Sequence, residues 1–226
     1  MKTRLYFLLL LILCSCHTQT DDFISKYCPG SCTVITGRLT TDGGTKPLAG
    51  VKLDLNWHSG DPYGFDNASR RKAITTTDAN GNYELRFLQR DDELTEGHFN
   101  VIAHLPEDKY YFCANAREIE SFSDLKRDTT IILNYELPQI AYIQVKVNNL
   151  QAKQPNDYLA TEFSFSAPCT PVIVWGNSGP QNTASVGANQ QVIIQSTKIK
   201  SGIRTETIDS VSMLQPGEVY TYQITF

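Results

Sequence analysis

Short segments in which apolar and polar residues alternate, separated by Gly, Pro, Asn and Asp, recur along most of this chain. In residues 51–57 the odd positions are apolar and the even positions are mostly polar, and residues 99–105 repeat the pattern. A period of two places each set on one face of a β-strand. The alternation predicts half-buried strands with one face of the sheet in water, and therefore an all-β fold.

The alternation starts again after about Pro138. The sequence therefore predicts two antiparallel β-sandwich domains in tandem, prealbumin-like or Ig-like, at residues 32–137 and 138–226. Further strands are expected at 129–135, 142–147, 161–166, 172–175, 190–195, 204–212 and 219–226. Residues 148–157 and 176–187 read as turn-rich loops, and only residues 116–126 have a helical pattern.

The first fifteen residues have the order of a secretory signal. Lys2 and Arg4 precede an apolar run at 5–13, which is far shorter than the ~20 residues of a membrane-spanning helix. The next four residues, Leu13-Cys14-Ser15-Cys16, resemble the lipobox of bacterial lipoproteins. The resemblance implies cleavage before Cys16, which then carries acyl chains such as palmitate and anchors the protein. Cys14 is the rival, and an ordinary signal peptide is the alternative.

Residues 16–31 are expected to form a lipidated polar tether. His17, where Asp would mark inner-membrane retention, implies delivery to the outer membrane. Asp21-Asp22 resembles the acidic tract that exports some lipoproteins to the cell surface. The cell surface and the periplasmic face both stay open as locations.

Charge and composition exclude some partners. Loss of Lys2 and Arg4 with the signal moves the formal net charge from −4 to about −6, and such an acidic chain is not built to bind nucleic acid. No cofactor is expected. The predicted partners are the membrane, through the lipid, and a glycan, a peptide or an envelope protein.

Four further cysteines, Cys28, Cys32, Cys113 and Cys169, are disulfide candidates in an exported protein. Four cysteines allow three pairings. Pairing of Cys28 or Cys32 with Cys113 is favoured, because an early and a late strand of one sandwich can lie side by side.

Three segments carry a family resemblance: Thr36-Gly37-Arg38-Leu39, then Pro47 to Leu53, then Thr75 to Tyr83 with its Asp78-Ala79-Asn80-Gly81 turn. Their order and spacing resemble the carboxypeptidase regulatory-like (transthyretin-like) domain over residues 33–135. The resemblance implies a seven-stranded sandwich that has no catalytic residues of its own and serves as a scaffold for catalytic or transport partners.

The loop after residue 57 is the best candidate for a binding site. It combines aromatic faces with planar polar groups, as a sugar or peptide site requires, and loops on rigid scaffolds often carry binding. The candidate residues are Trp57, Asp61, Tyr63, Phe65 and Asp66. Alternatively, Trp57 and Phe65 pin the loop to the core, since aromatics dominate core burial.

Other clusters have simpler interpretations. Asp78, Asn80, Asn82 and Glu84 resemble a calcium loop, but the Gly is misplaced, so a hairpin is expected. His58, His98 and His104 lack zinc-site spacing, and no metal is predicted. The acidic run at 91–96 holds enough carboxylates for an acid and base pair, although a solvated charge run is the simpler explanation.

These observations predict a non-enzymatic binding, adhesion or accessory scaffold lipoprotein. One alternative is a hydrolase of envelope polymers that uses Asp61, Asp66 or the 91–96 loop. The other is a structural subunit of a larger envelope complex, which predicts an exposed apolar patch.

Overall fold

The computed structural model describes residues 20–23, 32–60, 68–113, 117–167, 172–175 and 180–226. The predicted signal peptide and Cys16, most of the predicted tether and the loop at 61–67 lie outside these ranges. Among the described residues, no helix is long and apolar enough to cross a membrane.

The described residues form short strands joined by turns, with 3₁₀ turns at Asp92–Leu94 and Leu150–Ala152. The predicted all-β class is confirmed. The strands are β1 (Thr20–Asp21), β2 (Thr33–Thr41), β3 (Lys46–Pro47), β4 (Lys52–His58), β5 (Ser69–Thr76), β6 (Asn82–Phe87), β7 (His98–Ala103), β8 (Glu118–Phe122), β9 (Thr130–Ile132), β10 (Tyr135–Glu136), β11 (Ile140–Asn148), β12 (Tyr158–Ser164), β13 (Val172–Trp175), β14 (Gln181–Gly187), β15 (Val192–Lys200), β16 (Ile203–Val211) and β17 (Val219–Thr225).

Strands β1 to β10 enclose the first hydrophobic core. One sheet has the order β1-β5-β4-β7-β8, and the second is built around β2, which pairs with β3, β6, β9 and β10. Apolar side chains from both sheets share this core, including Ile35, Leu39, Leu53, Leu55, Leu85, Phe87 and Val101. Burial of one face of each sheet against the other makes the unit a sandwich.

Strands β11 to β17 enclose a second core. A three-stranded sheet, β14-β11-β17, and a four-stranded sheet, β13-β12-β15-β16, contribute to it. Its members include Ile143, Val145, Leu159, Phe163, Val186 and Ile194. Along the chain, the first core ends at Leu137 and the second begins at Ala141.

Four strand pairs are parallel, although antiparallel sandwiches were predicted. They are β1 with β5, β9 with β2, β10 with β2, and β11 with β17. In each pair the two strands are far apart in sequence, so a long connection brings the later strand back beside the earlier one. Alternation shows which face of a strand is buried but not which direction its neighbour runs.

Two segments differ from the predicted pattern. The helical pattern at 116–126 contains strand β8, in which Ile119 is buried and which pairs with β7. The predicted loop at 176–187 contains strand β14, where the small Ala184 and Val186 are the buried apolar side chains. β14 lacks large apolar residues, and in β8 the apolar Ile119 and Phe122 are three positions apart, so alternation revealed neither strand.

The even-numbered face of β4 is less exposed to water than predicted. Asp54 and Asn56 are both buried. His104 Nε2 lies 2.9 Å from Asp54 Oδ2, and Lys52 Nζ lies 3.3 Å from Asp54 Oδ1. Neighbouring polar side chains thus cover Asp54 and partner its carboxylate, as a buried carboxylate requires.

Candidate functional site

A cleft of about 440 Å³ opens at one end of the first sandwich. It lies where β4 ends and β5 begins, beside the loop that precedes β7. Its walls are Trp57, Ser59, Gly60, Ala68, Arg70, Asp92, Glu96 and Gly97. Aromatic, cationic and carboxylate side chains therefore meet at one concave surface.

A β-bulge in β5 lies next to Arg70, which lines the cleft. Leu55 pairs with Ala73, but the next residue of β4, Asn56, pairs with Arg71. Lys72 is therefore the extra residue of the bulge, and bulges redirect side chains and bend strands. Although lysine is seldom buried, the side chain of Lys72 is only 1% exposed.

Two carboxylates hold the ammonium group of Lys72. Its Nζ lies 2.6 Å from Asp22 Oδ2 and 2.8 Å from Glu93 Oε1. The side chains of these acids are 6% and 0% exposed. Arg90 Nε donates a second hydrogen bond to Asp22 Oδ2, at 2.8 Å. Burial acts to raise the pKa of Asp22, but the hydrogen bonds from Arg90 and Lys72 outweigh it and hold that pKa below its ordinary value.

The acidic pair in the predicted tether belongs to the fold. Thr20 and Asp21 pair in parallel with Arg70 and Arg71 of β5, and the backbone N–H of Asp22 donates to the carbonyl of Arg71 at 2.9 Å. Residues 20–22 of the predicted tether at 16–31 therefore pair with the first sandwich, and the bounds of the tether stay a prediction. The buried cation at Lys72 draws the carboxylate of Asp22 into the sandwich.

Arg70 links the buried acids to the cleft. Its guanidinium donates to Glu93 Oε1 at 2.9 Å and to Asp92 Oδ2 at 2.7 Å. The same group lies 4.4 Å from the centre of the Trp57 ring, a cation–π contact. Trp57 is 2% exposed, and its Nε1 donates to the carbonyl of Glu96. Trp57 is therefore a fixed wall of the cleft.

The other predicted ligand residues, Asp61, Tyr63, Phe65 and Asp66, lie outside the described residues. The two ends of their loop are described. The backbone N–H of Ser59 donates to the carbonyl of Ala68 at 2.9 Å, and both Gly60 and Ala68 line the cleft. The loop therefore leaves from and returns to the rim of the cleft.

The acidic run at 91–96 is not simply solvated. Asp91 lies 2.7 Å from Arg127, Asp92 is bound to Arg70, and Glu93 is buried against Lys72. The 3₁₀ turn Asp92–Leu94 places Glu93 inward, which a charge run in the sequence does not reveal. Each of these three carboxylates therefore faces a cation.

The Asp78 segment is a tight turn, but it joins β5 of one sheet to β6 of the other and is not the predicted hairpin of paired strands. Asp78 Oδ1 accepts hydrogen bonds from the backbone N–H groups of Asn80 and Asn82, both at 2.8 Å. Hydrogen bonds from the backbone and side chain of Asn82 hold the pKa of Asp78 below its ordinary value. Glu84, the fourth residue of the pattern that resembles a calcium loop, pairs with Arg86. The oxygens of Asp78 thus close the turn.

The histidines are paired locally. The rings of His58 and His98 lie 5.6 Å apart on neighbouring strands, whereas His104 contacts Asp54. Within the described ranges, no group of three or more His, Cys, Asp or Glu side chains is placed to hold a metal ion.

Cys32 and Cys113 each form a disulfide, and the pairing itself stays a prediction. Cys28 and Cys169 lie outside the described residues, and the sulfur of Cys113 lies 3.5 Å from the hydroxyl of Tyr135.

No family model and no curated protein matches the chain. The resemblance to the carboxypeptidase regulatory-like domain therefore rests on the sequence segments that carry it.

Several solved structures are similar at low identity. The Bacillus anthracis TIE protein matches 86% of this chain at 9% identity and a TM-score of 0.33, and this chain covers 34% of that protein, about a third of its length. The shaft pilin SpaA of Lactobacillus rhamnosus GG matches 86% of this chain and 96% of its own, at 11% identity and a TM-score of 0.31. Catechol 1,2-dioxygenase from Pseudomonas arvilla C-1 matches 53% of this chain and 56% of its own, at 15% identity and a TM-score of 0.26. Scores this low carry no argument about function.

Arg70→Met should destabilise the first sandwich by about 1–3 kcal/mol, because it removes hydrogen bonds to two carboxylates and the contact with Trp57. Arg86→Met is the matched control, since Arg86 forms an exposed pair with Glu84 that should contribute under about 1 kcal/mol. Urea unfolding measures both, and equal effects of the two substitutions would contradict the assignment.

The difference in unfolding free energy between the wild type and Arg70→Met should also depend on pH. The hydrogen bond from Arg70 holds the pKa of Asp92 below its ordinary value. The stability that this bond contributes is therefore present above the unfolded pKa of about 3.9 and lost as the pH falls further. The contribution is small because Asp92 is about half exposed. The difference between the wild type and Arg70→Met should narrow below about pH 4.

Proposed function

We propose that the chain is a lipid-anchored protein of the outer membrane whose folded part is a non-catalytic binding or scaffold module. The lipobox resemblance at Leu13 to Cys16 supports the anchor. The observation that carries the proposal is the burial of Asp22, which stands only six residues after Cys16. An anchor at Cys16 is thereby attached to a folded body and not to the end of a long tether.

This spacing limits how far the body can lie from the bilayer. Only residues 17–19 separate Cys16 from β1. Four extended backbone steps span at most about 14 Å. The lipid would therefore hold the first sandwich against the membrane surface, with the start of β1 facing it. A protein held in this way is suited to present or receive a partner close to the bilayer.

Cys16→Ala should move the protein from the membrane fraction to the soluble fraction, because each buried methylene of the acyl chains contributes about 0.8 kcal/mol to membrane binding. Cys14→Ala is the matched control and should leave the protein in the membrane fraction. Fractionation and immunoblotting measure both. Retention of Cys16→Ala in the membrane would contradict the proposed anchor.

The cleft is proposed as the ligand site, and a glycan as its ligand class. Arg70, Asp92 and Glu96 line the cleft and offer hydrogen-bond donors and acceptors for sugar hydroxyls. The loop that starts and ends at the rim supplies Tyr63 and Phe65, whose rings can stack on sugar rings. Concave sites with a few convergent polar groups are the usual form of small-ligand sites.

Combined Tyr63→Ala and Phe65→Ala substitutions should weaken glycan binding at least about tenfold, which corresponds to about 1.4 kcal/mol. The probes are soluble peptidoglycan fragments and outer-membrane polysaccharide, measured by calorimetric titration. Tyr220→Ala is the control, since Tyr220 is an exposed tyrosine of the second sandwich. An unchanged affinity, or binding of neither probe, would rule out this site.

A structural-subunit role is the second candidate, because the second sandwich exposes apolar side chains on two of its four edge strands, β16 and β17, and between them. Ile208 is 71% exposed in β16, and β17 exposes Val219. Ile203, Met213 and Tyr220 are also exposed in this sandwich, and the exposed apolar residues of β16 and β17 are proposed as the docking patch. β16 is a nine-residue edge strand, and its unpaired backbone groups offer pairing to another chain, although Arg204, Glu206 and Asp209 place charges along it.

Ile208→Lys should reduce the recovery of any larger complex by cross-linking in native membranes, because the lysine places a charge in the patch. Ile132→Lys is the control, since Ile132 is 74% exposed but belongs to the first sandwich. If both variants lose the complex equally, or neither does, the patch is not a docking surface.

A further inference from the structure

Lys72, Asp22 and Glu93 form a contact of three ionisable groups that the proposed binding function does not use. The amine nitrogen of Lys72 lies 2.6 Å from one oxygen of Asp22 and 2.8 Å from one oxygen of Glu93. All three side chains are nearly inaccessible to water. Removing an ammonium and a carboxylate from water is unfavourable even when they are paired. An amide bond would join the same two groups without any charge.

The backbone already positions the two reacting groups. Thr20 pairs with Arg70, and Asp21 pairs with Arg71, so the next position in this parallel register sets Asp22 against Lys72. The backbone N–H of Asp22 donates to the carbonyl of Arg71 at 2.9 Å and fixes the approach. Fixed proximity of this kind can replace much of the barrier to a reaction between two groups.

We propose that Lys72 and Asp22 condense to an intramolecular amide, with Glu93 as the proton carrier. Glu93 takes a proton from the Lys72 ammonium and passes it to the Asp22 carboxylate, and the free amine then attacks Cγ of the neutral carboxyl group. The new bond joins Nζ to Cγ, and one Cγ–O bond breaks. The departing oxygen leaves as water with two protons that both originate on Nζ, one of them carried by Glu93. Ammonium plus carboxylate therefore becomes amide plus water, without an oxidant or a co-reactant.

Arg90 contributes to the same step. Its Nε donates to Asp22 Oδ2 at 2.8 Å, where negative charge develops when the amine adds to the carboxyl carbon. A fixed donor at such an oxygen stabilises the transition state. The second oxygen of Glu93 accepts the backbone N–H of Arg90 at 2.9 Å, which orients Glu93 toward the amine. The proposal does not depend on lipidation of Cys16.

Peptide mapping of the purified full chain tests the proposal. Trypsin cannot cleave after an acylated lysine, so the wild type should give a branched peptide in which the segment ending at Lys26 is joined to residues 72–86. Its mass should be lower by one water than that of the two peptides together, and fragmentation should place the branch at Asp22 and not at Asp21. Separate, unmodified peptides from the folded wild type would overturn the proposal.

Two variants test the roles of Lys72 and Glu93 in amide formation. Lys72→Arg keeps a cation in the bulge but cannot form the amide, and should give no branched peptide. Glu93→Gln keeps the shape of Glu93 but cannot carry the proton, and should reduce the branched fraction at least tenfold. Circular dichroism checks that each variant is folded. A folded Glu93→Gln protein that is fully branched would overturn the assignment of Glu93 as the proton carrier.

Discussion

Before the proposed amide forms, a lysine ammonium buried between two carboxylates is the constraint on which the first sandwich depends. Several kcal/mol are needed to take such an ion out of water, and the ion stays buried only if opposite charges meet it. Lys72 is therefore stable only when Asp22 and Glu93 are both in place. This requirement fixes three parts of the chain together: the N-terminal strand β1, the bulge in β5 and the turn at Asp92–Leu94.

The same cluster builds the cleft. Three cations and three carboxylates balance one another in it: Lys72, Arg70 and Arg90 with Asp22, Asp92 and Glu93. Arg70 extends the network outward, where it covers a face of Trp57 and meets Asp92 at the wall of the cleft. The stability of the first sandwich and the shape of the candidate ligand site thus share the same side chains. A change that loosens one is expected to alter the other.

The predictable parts of the molecule were those that a local pattern encodes. Alternation revealed β4 and β7, and the side chain of Asp78 with the glycine at position 81 revealed the turn between β5 and β6. The lysine cluster has no local pattern. From the sequence alone, Lys72 and Glu93 are expected at the surface. In the structure the bulge in β5 directs Lys72 inward, and the 3₁₀ turn buries Glu93. Their partner Asp22 is about 50 residues from Lys72 in sequence, so only the parallel pairing of β1 with β5 joins them. The parallel direction of that pair is likewise invisible to alternation.

Residues 20–22, close behind Cys16 in the sequence, are part of the folded body. Hydrogen–deuterium exchange of the backbone amide of Asp22, followed in the full chain at neutral pH, tests this most directly. That amide donates to the carbonyl of Arg71 at 2.9 Å, so its exchange should be strongly protected in the wild type and should accelerate in Lys72→Met. Exchange of the wild-type amide at the rate of an unstructured peptide would contradict the account.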